Sequence, residues 1–315
     1  MKEKDAQELL HCLPHQRTLF PYCRDHYAVQ LLRVASKRYP TIPALKRSPF
    51  GRLFDKPSVR SLTSACGNGR LDTGALTPYW QEPGNTYLLT VGIWSGRRQR
   101  DAQMSRRGAN IVLRLHFNRQ HDQLYTRTIQ PTRANAFNGW GHPVLMQGER
   151  RYFRETLAWA RLDVDFHTNE VLVEEIQSDW VRRVRSLKLR ASRCCDEACV
   201  LRGYGYRTTA GQAHAYVSYA ESVMHDWSHA MLAAVLHFAE HELGVSTVWY
   251  HTWNTGVALK GIDRDWAPPT SLYTRLPEQF CFEATRDMPR LLSTEPLRKR
   301  LNRHRIEPHF YKLDL

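Results

Sequence analysis

The chain has 315 residues, 42% of them hydrophobic, which is enough to bury a sizeable core in one large domain or two modest ones. Lys and Arg total 45 against 31 Asp and Glu, a net charge of +14 with a pI near 9.7, so an acidic partner such as nucleic acid or a phosphorylated cofactor is expected. No apolar run reaches the length of a membrane span, the N-terminus lacks the apolar core of a signal peptide, and the seven scattered cysteines do not form a secreted disulfide framework. The expectation is a cytoplasmic protein without membrane contact.

Residues 1–78 read as a helical accessory region. Residues 24–37 carry apolar positions at helical spacing behind Asp25, and a second helix starts near Pro57 and stops at Gly67-Asn68-Gly69. Residues 79–285 read as the main domain. Segments 87–94, 110–117, 125–129 and 157–166 are rich in β-branched and aromatic residues and bounded by turn residues, which predicts an antiparallel meander. Between the first two lies an arginine-dense loop, with Arg97, Arg98, Arg106 and Arg107, suited to bidentate grip on phosphate.

The most informative stretch is Val171-Leu172-Val173-Glu174-Glu175-Ile176-Gln177-Ser178-Asp179-Trp180. It reads as a strand whose end is loaded with acceptors, and strict alternation sends Glu175 and Gln177 to one face and Glu174 to the other. A solvated edge strand would account for the same letters. Beyond it come a basic amphipathic helix with Arg182, Arg183, Arg185, Lys188, Arg190 and Arg193, a Gly-Tyr loop at 203–206, and a strong helix through Met231, Leu232, Val235, Leu236 and Leu243 that Gly244 ends. Segment 245–253 follows as a strand. The order strand, excursion, helix, strand predicts a parallel crossover, so Glu174, Glu175, Gln177, Asp179 and Trp180 should share one sheet edge with His251, Trp253 and Asn254. The N-terminus of the helix, with Trp227, Ser228 and His229, should point to that edge and favour an anion. Neither the histidines near 225–241 nor the cysteines near 194–199 form a tight ligand pattern, and no metal site is expected there. Residues 286–315 read as a basic extension ending in an edge strand at 309–313.

Three resemblances attach to these residues. The run Arg154-Glu155-Thr156-Leu157-Ala158-Trp159-Ala160-Arg161 with the signature E-I-Q-S-D-W resembles a domain of very large phage and mobile-element polyvalent proteins over roughly residues 80–285, which implies a mobile-element relationship and no defined chemistry. The order of elements, ending in Leu272-Tyr273-Thr274-Arg275-Leu276-Pro277, is similar to GNAT acyltransferases. That resemblance implies a mixed, largely antiparallel α/β (α+β) sheet, acetyl-CoA or another acyl-CoA as cofactor, Tyr273 as general acid and Glu175 as base, although Met224-His225-Asp226-Trp227-Ser228-His229 lacks the family's glycines. Third, Asp163 or Asp165 with Glu175-Ile176-Gln177 resembles the D...E-x-K arrangement of PD-(D/E)XK nucleases with Gln in place of Lys, implying Mg2+ between two carboxylates. A binding module without catalysis, whose acidic strand end makes only structural hydrogen bonds, is the remaining alternative.

Overall fold

A computed structural model describes residues 1–13, 17–71, 84–95, 103–139, 142–144, 154–263 and 267–315. Among them, eight strands form one mixed sheet in the order β1-β2-β3-β4-β5-β8-β10-β9, and β6 and β7 form a separate hairpin. The strands are β1 (Arg17–Tyr22), β2 (Asn85–Ser95), β3 (Ala109–His116), β4 (Thr156–Asp165), β5 (Glu170–Gln177), β6 (Val200–Gly203), β7 (Tyr206–Thr209), β8 (Thr247–His251), β9 (Glu283–Thr285) and β10 (Phe310–Asp314). Every neighbouring pair in the large sheet is antiparallel except β5 and β8, which run parallel. The mixed α/β class and the parallel crossover therefore agree with the sequence reading.

The sheet crosses both expected domain boundaries, because β1 comes from the first 78 residues and β10 from the last 30. β10 is not an edge strand either: it is paired on both sides, by β8 and by the three-residue β9. The first region is still mostly helical, with α1 (Glu3–Cys12), α2 (His26–Ser36), α3 (Ile42–Arg47) and α4 (Pro57–Ser64).

Segment 125–129, expected as a strand, belongs instead to α5 (Arg119–Ile129). Asn118 caps that helix by accepting the His121 amide, and His121, Tyr125 and Ile129 recur every four residues on its buried face. The aromatic content that suggested a strand serves core packing.

Directly after β5, Ser178 caps α6 (Asp179–Ala191) by accepting the amide of Val181. The β6–β7 hairpin follows, then α7 (Ala210–Met224), opened by a capping box between Thr209 and Gln212. α8 (Trp227–His241) then crosses the sheet, and Gly244, at φ +62, lets the chain turn back into β8. Its run from Ala230 to Leu236 is buried and packs with Val171, Val173 and Ile176 of β5 in the main core. On the opposite face, Leu172, Trp249 and Phe310 pack with α9 (Trp253–Lys260) and α11 (Glu295–Arg303), while the short α10 (Arg275–Gln279) lies between them in sequence. No helix among the described residues is long and apolar enough to cross a membrane.

Candidate functional site at the parting of two parallel strands

β5 and β8 pair from Glu170 opposite Thr247 to Val173 opposite Tyr250. One residue later the β4–β5 register shifts, since Arg161 faces Glu175 while Leu162 faces Val173, leaving Glu174 as an extra residue on β5. Such a bulge breaks the alternation of side chains. As a result Glu174 and Glu175 emerge on the same face of the sheet, contrary to the alternation expected from the sequence. The segment 103–105 touches the partners of both: the carbonyl of Gln103 accepts from Arg161, and Ser105 donates its amide and hydroxyl to Glu174.

Each carboxylate has its own buried cation or donor. Arg161, directly across on β4, reaches Glu175 at 2.5 Å. His251 Nε2, at the end of β8, lies 3.2 Å from Glu174 Oε2 and 3.0 Å from Ser105 Oγ. Lys260, on the last turn of α9, donates to the main-chain carbonyl of Glu174 at 2.8 Å. That carbonyl lies just past the last β5–β8 pair, so the ammonium supplies the hydrogen bond that a neighbouring strand no longer makes.

The electrostatics follow from burial and pairing. Burial pushes the Glu174 carboxyl up, but the bond and charge of His251, with Lys260 and Arg161, outweigh it and hold the group at about 2. Glu175 is likewise lifted by burial and brought below its usual range by Arg161 and Lys260. Burial lowers His251 against the pull of Glu174 and Asp163, and lowers Lys260 against the pull of Glu175 and Glu174. Ser105 Oγ and Glu174 both meet the same nitrogen of His251, and its Nδ1 has no partner among the described residues. A nucleophilic triad needs opposite ring nitrogens for those two roles, so this trio orients Glu174 and does not activate the serine.

Five more of the expected residues lie with the carboxylates or near them. Gln177 stays with the carboxylates: with its amide turned to suit its neighbours it donates to Glu175 at 2.8 Å and accepts from Arg182. Asp179 is buried between His142, at 2.7 Å, and Arg182; burial raises its carboxyl, and the His142 bond brings it below its usual value. Trp253, Asn254 and Tyr273 line a cavity of about 610 Å3 at the end of β8, with Arg286, Arg305, His309 and Glu307 among the groups around it. The Tyr273 hydroxyl is buried without a hydrogen-bond partner among the described residues, and burial followed by the charge of Glu175 raises it well above its ordinary value. Lys260 Nζ lies 5.8 Å from the Tyr273 ring centroid, linking the carboxylate cluster to the cavity.

Several expected roles do not fit their surroundings. Trp180 is fully buried, donates to Tyr216 at 2.7 Å and packs on Phe117, Tyr125 and Phe137, so it is a core residue with no substrate-facing surface. Trp227, Ser228 and His229 are half-buried at the start of α8, where His229 meets Gln279 at 2.8 Å and packs on Tyr27 and Phe280. Asp226 puts a carboxylate at that helix start, which works against an anion there. Arg106, expected to hold phosphate, grips Asp163 through two bonds, and the amino group of Met1 reaches the same carboxylate at 2.7 Å. In the β4–β5 ladder Asp163 faces Leu172 and Asp165 faces Glu170, so neither pairs directly across from Glu175, and both carboxylates lie beside Arg106. Arg97 and Arg98 lie outside the described residues.

Sequence reasoning missed Ser105, Arg161 and Lys260. Two of them carried a signal: Arg161 interrupts the apolar run Leu157-Ala158-Trp159-Ala160, and Lys260 closes the apolar run Val257-Ala258-Leu259. A cation in such a setting points to a buried carboxylate partner. No protein-family profile, curated protein or solved structure matches this chain.

Proposed function

We propose that this protein is an acyltransferase that binds an acyl-CoA thioester where β5 and β8 part and transfers the acyl group to a primary amine. The single observation behind this reading is the parting itself: two parallel strands separate at a bulge, next to a cavity lined by a buried tyrosine with an unsatisfied hydroxyl. Past the last ladder pair, the main chain of β5 can bond an extended amide-containing chain once Lys260 releases the Glu174 carbonyl. Arg286 and Arg305 supply positive charge for phosphate at the cavity. That charge replaces the glycine turn expected before α8, whose start is packed against Tyr27 and Phe280.

The thioester supplies the activated acyl carbon. The amine attacks it, the C–S bond breaks, the amine loses its proton to solvent at the cavity mouth, Tyr273 gives a proton to the departing thiolate, and solvent returns a proton to the phenolate. Its raised pKa keeps the phenol protonated at neutral pH but makes it a weaker acid than a free tyrosine, so the role requires that the charge growing on the sulfur draw the proton across a hydrogen bond from the hydroxyl. Glu175, expected as the base, is tied to Arg161 and held anionic, so in this reading it positions Arg161 and Lys260. Transfer of a labelled acetyl group from acetyl-CoA to a panel of primary amines tests the reading. Tyr273→Phe should lower kcat by about 100-fold or more while leaving acetyl-CoA binding intact. No transfer to any amine, or an unchanged rate in the variant, would contradict it.

A further inference from the structure

α6 and the β6–β7 hairpin form a surface that takes no part in the chemistry above. Between Asp179 and Arg207 the chain carries eight Lys and Arg against three Asp and Glu. Three of those cations are occupied: Arg182 by Asp179, Lys188 by Glu221 at 2.8 Å, and Arg190 by the Tyr206 hydroxyl and the Arg202 carbonyl. Arg183, Arg185, Arg193, Arg202 and Arg207 are exposed and make no ion pair among the described residues. Arg202 and Arg207 face each other across the hairpin, and guanidinium groups left open to solvent along this stretch are available to an anionic partner.

Apolar groups interleave with these arginines. Leu189, Val200 and Tyr204 are 62%, 48% and 52% exposed, among the few large hydrophobic residues so open to solvent. Tyr204 sits at the tip of the hairpin, where Gly205 at φ +77 permits the tight turn. Its ring is steadied from one side by Arg133, whose guanidinium lies 5.2 Å from the centroid and 3.3 Å from the hydroxyl. Pairing of Thr132 with Gly205, and the bridge from Pro131 to Tyr206, fix the hairpin against that neighbouring segment. The aromatic face is thus presented by a braced turn.

We infer that this surface binds single-stranded nucleic acid, with the unpaired arginines along the phosphates and Tyr204 stacked on a base. The charge alone would suit any polyanion; the exposed ring and flanking leucine and valine favour a strand whose bases are unstacked. Five phosphate contacts on a single strand give a log–log salt slope of about −3.5, hence binding about 100-fold weaker at 200 mM salt than at 50 mM. This inference does not depend on the acyltransferase reading.

Fluorescence anisotropy of labelled 20-nucleotide single strands, a matching duplex, and phosphatidylserine vesicles as competitor decides the matter. The expected result is single-strand binding tighter than duplex binding, not displaced by vesicles. R183Q/R193Q/R207Q should weaken it at least tenfold and flatten the salt slope, while Tyr204→Ala should weaken it with the slope unchanged. Both variants alter exposed side chains, and circular dichroism checks that they fold as wild type. Equal binding of duplex, displacement by vesicles, or wild-type affinity in the triple variant would overturn the assignment.

Discussion

On the side of the sheet covered by α8, β5 offers Val171, Val173 and Ile176 to Leu232 and Val235; on the other side the same strand offers Glu174 and Glu175 to Arg161, Lys260, His251 and Ser105. The first surface is stabilised by removing apolar area from water and tolerates changes of shape at moderate cost. The second consists of groups that are stable only as a set, since each buried charge depends on its neighbour. The switch between the two occurs at one inserted residue, the bulge at Glu174. An arrangement so demanding has no structural advantage over apolar packing, which is why it is the place to look for chemistry.

The comparison is broken most severely by Arg161→Met, which strands Glu175 without its partner and should cost about 3–5 kcal/mol in urea unfolding. Adding Glu175→Leu should recover most of that loss; if it does not, the two charges are not a dependent pair. Leu232→Ala on the apolar side should cost about 3 kcal/mol, from lost burial and the cavity left behind. Its cost should be the same at pH 5.5 and pH 8, because no titrating group is involved.

Acid sharpens the contrast further. Burial, aided by the charge of Arg114, lowers His116 to about 3, and burial with His241 and Arg33 lowers His237 to about 4. A histidine depressed in the folded state binds its proton more readily when unfolded, so stability falls as pH drops below the unfolded value of about 6.5. Each such group steepens the loss by at most about 1.4 kcal/mol per pH unit, and His116→Gln should remove one share of that slope. Glu174, depressed to about 2, adds stability that is lost only below about 4.5, so the carboxylate cluster should fail after the histidines. The smallest effect belongs to Tyr273→Phe, which deletes an unsatisfied buried hydroxyl and should change stability by no more than about 1 kcal/mol.

Much of this plan was legible in the residues. The β-branched and aromatic content of residues 110–117 and 157–166, the stop at Gly244, and the parallel crossover from β5 to β8 all follow from composition, helical periodicity and turn chemistry. The meeting of Glu174 with His251 at adjacent strand ends followed from that crossover. What was not legible was the bulge, because an inserted residue looks like any other until its partner strand is in place. Hence the two glutamates were expected on opposite faces. Trp180 was misplaced for a related reason: a tryptophan after a strand end reads alike whether the next helix turns it inward or outward, and here the Tyr216 hydroxyl and the rings of α5 draw it in. Ser105 gave no sequence signal, since its role depends on where the 103–105 segment crosses β4 and β5.

The central claim is that the parted ends of β5 and β8 receive an acyl-CoA. It is tested most directly by thermal-shift titration of the intact protein with acetyl-CoA, compared with R286E/R305E. The account predicts a saturable rise for wild type, equivalent to about 2.7 kcal/mol at 100 times the dissociation constant, that adenosine nucleotides do not reproduce and that the variant loses. An unmoved melting curve at millimolar acetyl-CoA, or an equal rise in the variant, would contradict it.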